Sequence, residues 1–437
     1  MKQSTPPKST TLDVTARSNL WFYPGEELAD GEMRVTLIGT GWGNVVTPSQ
    51  KGPSVFVELG NEAKDSFVFD VGPGCILNYN AMEIPMSRMS NVFLSHLHMD
   101  HCSDLPFIYA FGPNLGDRFT PLKIHGPSGP LWPQADSENR ESETVLGTRN
   151  LVEGMQKFTQ WHTTSFSTMS SGAQSSYALK TAPEGQHDHS DDLDFNIFEF
   201  NYRLCNGVVY ERDDETHGSI KITSFPALHI IDGAVSYRLE WVPAGSSETI
   251  TLVYSGDTLP NEFMLTYGKG ADLMIHETAP SISSVMNGAN ATEAEAEAIV
   301  SNSHTPAEAL GYIFRRTQPR LGVTTHTPMD PRSVDEMITD VRKNWDKKYQ
   351  IGADFMVFNV SAEVEIKTGE RVEPTTRIGV PVDRAWPVRI SPTKNLAEPP
   401  LGDPKDVDYL RKAVSLDANS KNAGVIFNQQ LQDPDDR

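Results

Sequence analysis

The densest chemistry in the sequence lies in the run Ser95-His96-Leu97-His98-Met99-Asp100-His101. His96, His98, Asp100 and His101 offer imidazole nitrogens and a carboxylate, the donor types that suit zinc or iron. The run follows the apolar residues Val92, Phe93 and Leu94, which read as a strand aimed at a core edge. A period of two puts His96 and His98 on one side, and a turn into helix brings Asp100 and His101 to the same cavity. Three further candidates stand at the ends of apolar runs: His229 after Ile222 to Leu228, Asp257 after Leu252 to Gly256, and His326 after Gly322 to Thr325. Alone, each is more often structural. After HxHxDH and in this order, they read as a two-metal constellation.

The elements that must position these residues are short. Met33 to Gly39 alternates as a strand and ends in Gly39-Thr40-Gly41-Trp42-Gly43. Val55 to Leu59, Phe67 to Val71, Val92 to Leu94 and Pro121 to His125 continue the β texture. Strands return at Ile220 to Phe225, Val235 to Trp241, Thr249 to Tyr254, Asp272 to Ile275, Gly322 to Thr325 and Phe355 to Val360. Ala291 to Val300 and Pro306 to Arg316 are helical in composition. The double alternation of strands then helix predicts two sheets covered by helices.

Around this core the reading sets an N-terminal arm over 1–32 with the aromatic patch Leu20 to Tyr23, a catalytic domain over 33–366 and a C-terminal extension over 367–437. Residues 130–217 read as an acidic, partly looped insertion or lid; between 181 and 217 there are ten acidic residues and two basic ones. The extension carries eight prolines and, with the arm, is the expected contact of a homodimer. Gln186 to Asp192 reads as a solvated loop, the sequons at Asn290 and Asn359 as chance, and Cys102 as packed. The three cysteines cannot build a disulfide framework, and no apolar run is long enough for a membrane helix. Met1 to Arg17 is polar with no apolar signal core, so the expected compartment is the cytoplasm, or the periplasm if a signal was removed.

HxHxDH, then a His, then Ser255-Gly256-Asp257, then a final His resembles the metallo-β-lactamase fold. Leu37 to Gly41, Phe69 to Gly72, Tyr237-Arg238, Tyr254 to Thr258, Leu273 to Glu277 and Ser303-His304-Thr305 resemble the branch with ribonuclease Z and the zinc-dependent arylsulfatases. The resemblance spans roughly Met33 to Ile366 and implies an α/β, four-layer αββα sandwich. It implies two divalent ions, most simply Zn²⁺: one held by His96, His98 and His229, the other by Asp100, His101 and His326, with Asp257 between them. Two such ions lower the pKa of a shared water and hold attacking and leaving oxygens. Asp100 would also orient the nucleophile, and His304 would assist the leaving group as general acid. Asp70 would support the ligands or the fold. His276 and Glu277 would either support the site or hydrogen-bond across the sheet.

The sequence departs from the usual bacterial ribonuclease Z. His229 and Asp257 are only 28 residues apart, which leaves no room for a tRNA-gripping arm, and the net charge is −21. An acidic insertion repels phosphates. Gly207 to Glu211 also looks like the arylsulfatase group. The leading expectation is therefore a hydrolase of a small sulfate or phosphate ester, with no membrane and no nucleic-acid partner. The alternatives are a phosphodiesterase or ribonuclease, a lactone or amide hydrolase, and an iron-based redox use of the fold.

Overall fold

Strand β1 (Glu32–Gly39) alternates so that Met33, Val35 and Leu37 face one way and Ile38 the other, and both sides are buried. Its neighbours in the chain repeat this: β2 (Ser54–Leu59), β3 (Ser66–Phe69), β4 (Asn91–Phe93) and β5 (Leu122–Pro127). Next come the short pair β6 (Leu131–Trp132) and β7 (Glu143–Thr144), then β8 (Phe195–Phe200), β9 (Gly207–Arg212), β10 (Ser219–Pro226), β11 (Val235–Val242) and β12 (Ile250–Tyr254). The last strands are β13 (Leu273–Glu277), β14 (Leu321–Thr325), β15 (Tyr349–Ile351), β16 (Val357–Ser361) and β17 (Pro387–Ile390). The computed structural model describes residues 28–43, 46–113, 118, 120–129, 131–132, 143–144, 147–170, 195–230, 232–328, 331–361 and 387–390.

Among the described residues the strands form an eight-stranded sheet in the order β17-β16-β1-β2-β3-β4-β5-β8 and a seven-stranded sheet in the order β15-β14-β13-β12-β11-β10-β9. The odd-numbered side chains of β1 to β3 pack on Ile220, Ile222, Tyr237, Leu239, Trp241, Leu252 and Ile275, which fills the space between the sheets. The even-numbered Phe56 and Val68, with Val92 of β4, meet the helices Cys75–Ala81, Leu105–Phe111 and Thr148–Ser170. On the far side, Val253 and Met274 meet the helices Glu262–Tyr267, Ala307–Thr317 and Pro331–Arg342. Two apolar faces per strand therefore require four layers, helix-sheet-sheet-helix. No helix of the described residues is long and apolar enough to cross a membrane.

β3, β4, β5 and β8 are parallel, as are β12 to β15. Two antiparallel steps from β12 through β11 give β10 the same direction as β12. The C-terminal ends of β3, β4, β10, β12, β13 and β14 thus open on one edge of the sandwich. In parallel sheets that edge is where loops carry the chemistry.

The span 130–217 is more regular than expected. It holds the 23-residue helix Thr148–Ser170 and the edge strands β8 and β9, one for each sheet. The helix escapes a sequence reading because only a thin apolar stripe, with Val152 and Met155, is buried beneath a polar surface. The aromatic patch Leu20 to Tyr23, the Gln186 to Asp192 cluster and most of the extension lie outside the described residues. Within the extension, β17 pairs in parallel with β16. Asn359 of the second sequon is buried on β16, where its Oδ1 accepts from Arg34 Nε at 3.1 Å.

Candidate metal centre and acid site

β4 ends at Phe93, and the chain delivers His96 and His98 before turning into the short helix Met99–Cys102, which carries Asp100 and His101. His229 follows β10, Asp257 follows β12 and His326 follows β14. These seven residues meet at the common edge. His98 Nδ1 lies 3.0 Å from His96 Nε2 and 3.2 Å from His229 Nε2. Beside this trio, His326 Nε2 lies 3.3 Å from Asp100 Oδ2 and 3.4 Å from Asp257 Oδ2, and His101 Nε2 lies 3.2 Å from Asp257 Oδ1. Asp257 Oδ2 also faces the trio, 3.8 Å from His96 Nε2 and 3.7 Å from His229 Nε2. One carboxylate thus stands between two donor groups.

Donors placed tetrahedrally around zinc at ~2.0–2.1 Å stand about 3.4 Å apart. The separations here bracket that value. The donor atoms of the first trio lie within 4.8 Å of one another, as do those of Asp100, His101, Asp257 and His326. His101 Nε2 and Asp257 Oδ1 are buried without a hydrogen-bond partner although they point at each other. A cation between them would satisfy both atoms at once. The donor set therefore fits divalent metal.

The protonation preferences agree with two unlike groups. Burial pulls His96 and His98 below the ordinary imidazole range and His229 down to about 4, so the trio is neutral and ligand-ready. His101 is also buried, but the carboxylates of Asp257 and Asp70 outweigh that and push it well up. Asp100, against the same burial, is held down to about 2 by His326 and His101. Without metal, His101 and the carboxylates of Asp100 and Asp257 form a set of paired charges.

Asp70 fixes this arrangement from below. Its Oδ2 accepts from His101 Nδ1 at 2.8 Å and from Ser95 Oγ and Tyr254 Oη at 2.7 Å, and its Oδ1 from Ser95 N at 2.7 Å. It is fully buried with φ +58°, a left-handed conformation shared at this edge by His326 at φ +57°. Such strain at two site residues marks geometry imposed by the surroundings. Gly256 is required for a related reason. At φ +55°, a Cβ there would stand 2.5 Å from Ser95 Cβ and drive off the serine that serves Asp70.

His304 caps the helix Glu293–Ser303, and its Nδ1 lies 3.2 Å from Glu277 Oε1. Glu277 is the last residue of β13 and also accepts from Thr258 N at 3.0 Å and Thr305 N at 3.2 Å. Burial alone would lower His304, but Glu277 outweighs it and raises the imidazole to about 9. Its ring centroid stands 5.2 Å from those of His229 and His326, which places a cationic imidazole beside both donor groups. His276 is not brought here. Next to Glu277 on the same strand, it lies on the helix-facing side with Met274, and its Nδ1 lies 2.7 Å from the Glu277 carbonyl oxygen. Cys102 is buried with its Sγ near the carbonyls of Leu97 and His98, and burial pushes its thiol up to about 12, so it is packed rather than ligating.

Sequence reasoning missed several partners. Ser95 and Tyr254 orient Asp70. The carbonyl of Ser303 lies 2.7 Å from His229 Nδ1. Asp354, which burial raises to about 6, accepts from Thr40 N, Thr40 Oγ1, Lys51 N and Asn78 Nδ2. That knot pins the loop after β1 beside the site, and Thr327 N donates to Thr40 O at 3.2 Å. Pairing in a β-sheet is legible from alternation, but these contacts span up to 314 residues and leave no local signal.

No family model matches the chain. A ribonuclease Z of Methanosarcina mazei is 27% identical over 260 residues, 56% of this chain and 74% of the relative. One of Pyrococcus horikoshii is 24% identical over 298 residues, 67% of this chain and 86% of the relative. The chain is a metal-dependent hydrolase of the metallo-β-lactamase fold, similar in sequence to ribonuclease Z. Among solved structures, the short form of human tRNase Z aligns at 17% identity and a TM-score of 0.46, covering 76% of this chain and all (100%) of the other. A metallo-β-lactamase fold protein of Bacillus subtilis aligns at 17% and 0.47, covering 75% and 99%. Scores below 0.5 add nothing to what the sequence relatives carry. These relatives correct one expectation. The sequence reading put a small sulfate or phosphate ester first and set nucleic acid aside; the relatives named ribonuclease Z favour its phosphodiesterase and ribonuclease alternative.

Proposed function

We propose that this metal-dependent hydrolase is a two-metal phosphodiesterase acting on RNA, as the relatives named ribonuclease Z do. The observation that carries the reading is Asp257 standing between two donor groups with the Glu277-backed His304 beside them. His96, His98 and His229 would hold one divalent ion and Asp100, His101 and His326 the other, with Asp257 shared. Bound ions, most simply Zn²⁺, would supply Lewis acidity toward the phosphoryl oxygens and lower the pKa of the attacking water. Asp100 would orient the attacking water. His304, held at Nδ1 by Glu277, keeps Nε2 free to give its proton to the departing oxygen. His276 supports the fold rather than the reaction. A smaller phosphodiester is the second reading, favoured by the net charge of −21, which opposes a long polyanion.

The test is a turnover comparison of the zinc-loaded protein, with a chelator control, on a tRNA transcript extended at both ends, bis-(4-nitrophenyl) phosphate and 4-nitrophenyl sulfate. Chelator-sensitive cleavage of transcript and diester is expected. Cleavage of the diester alone selects the smaller substrate, and cleavage of the sulfate alone overturns the phosphodiesterase reading.

A further inference from the structure

His304 is held by a single carboxylate contact, Nδ1 to Glu277 Oε1 at 3.2 Å. That contact anchors Nδ1, and the rings packed around the imidazole limit how far its plane can tilt about that anchor. Transfer of a proton from Nε2 needs the plane as well as the point. Among the described residues three rings surround His304. Two are His229 and His326, which belong to the donor groups. The third is Trp42, whose ring centroid is 6.5 Å away with the planes inclined at 63°, an edge-to-face arrangement.

Trp42 is itself held on both sides. Its backbone belongs to the loop pinned by Asp354 through Thr40, and Gly41 N donates to Lys51 O at 2.7 Å. Its indole packs on Ala279, Val285, Ala296 and Val300, from the loop after β13 and the helices Ile282–Ala289 and Glu293–Ser303. The second of these helices is the one that His304 caps. An aromatic ring held from both sides, between His304 and the helix that His304 caps, is placed to act on that imidazole as well as to pack.

We infer that Trp42 is a positioning residue that sets the plane of the His304 imidazole for proton transfer to the leaving group. The inference rests on the general-acid reading of His304, and the experiment separates the two. Trp42→Phe, Trp42→Ala, His304→Ala and the Trp42→Ala/His304→Ala double variant are assayed with diesters of good (4-nitrophenyl) and poor (phenyl) leaving groups, with zinc content measured in parallel. Trp42→Ala is expected to lose about tenfold or more in kcat on the poor leaving group, less than about threefold on the good one, with KM and zinc content unchanged. Trp42→Phe keeps the ring edge, so it should retain activity on both. The double variant should be no slower than His304→Ala, since a residue acting through another adds nothing once that one is gone. Equal losses on both leaving groups, a change confined to KM, additive losses in the double variant, or a Trp42→Phe as impaired as Trp42→Ala would each overturn the inference. If His304→Ala itself shows no leaving-group dependence, the general-acid reading fails and the inference fails with it.

Discussion

Replacing Asp70 with Asn isolates what one buried carboxylate does for the site. Asn occupies left-handed backbone readily, so φ +58° adds little cost and the change is confined to hydrogen bonds. The best orientation puts the amide oxygen where Oδ2 stands, facing Ser95 Oγ, Tyr254 Oη and His101 Nδ1. The amide NH₂ then meets the Ser95 backbone N–H, donor against donor, where Oδ1 accepted at 2.7 Å. That conflict costs about 1–3 kcal/mol, and three bonds weakened from charged to neutral cost roughly 0.5–1 kcal/mol each. The expected loss is about 2.5–6 kcal/mol, a large share of an ordinary stability of about 5–15 kcal/mol. His101 also loses the anion that orients its ring, which should weaken metal binding about 10- to 100-fold. Urea unfolding of the chelator-treated protein reads the first effect, and competition with a chromophoric zinc chelator reads the second. A stability change under about 0.5 kcal/mol with unaltered zinc affinity would refute the reasoning.

Asp257→Ala should remove the shared donor, so the metal-to-protein ratio falls and chelator-sensitive turnover drops to background; full activity would sink the two-metal reading. Gly256→Ala forces a side chain into left-handed backbone against Ser95, and should cost about 1–3 kcal/mol in denaturant unfolding while lowering zinc affinity. In metal-free protein, His304 sits at about 9 against an ordinary 6.5, so its raised pKa stabilises the fold fully below about pH 6.5 and that contribution is lost as pH rises through 9. Stability should therefore fall by up to about 1.4 kcal/mol per pH unit across that window from this group, and His304→Gln should flatten the fall by that amount. Bound zinc adds positive charge nearby and should shift the window to lower pH.

HxHxDH was legible because strand and turn put four donors within six residues, so local geometry alone predicts convergence. His229, Asp257 and His326 were legible because each closes an apolar run, and strand ends on one edge of a sandwich must meet. The layers followed from alternation in the same way. What escaped depended on parity or on distance. His276 and Glu277 are adjacent letters, but a period of two sends one into the site and the other toward the helices. Asp354 is an acid in an unremarkable loop until Thr40, Lys51 and Asn78 fold onto it. The helix Thr148–Ser170 hides beneath polar composition, and its surface even carries Phe158 and Trp161 in the open.

The pairing of β1 with β16 also bears on how the protein is made. Glu32 faces Ser361 across that ladder, and Asp354 closes the loop that begins at Thr40. A ribosome emits the first strand more than 300 residues before its partner. Until then β1 has β2 on one edge and bare amides on the other, and the histidines of the first motif wait for Asp257 and His326. Metal captured early would meet an incomplete cage, so full loading waits for His326. A nascent polypeptide halted between His326 and Asp354 would hold every donor yet lack β16, the strand that pairs the open edge of β1, which makes it a natural client for chaperones that shield open β edges.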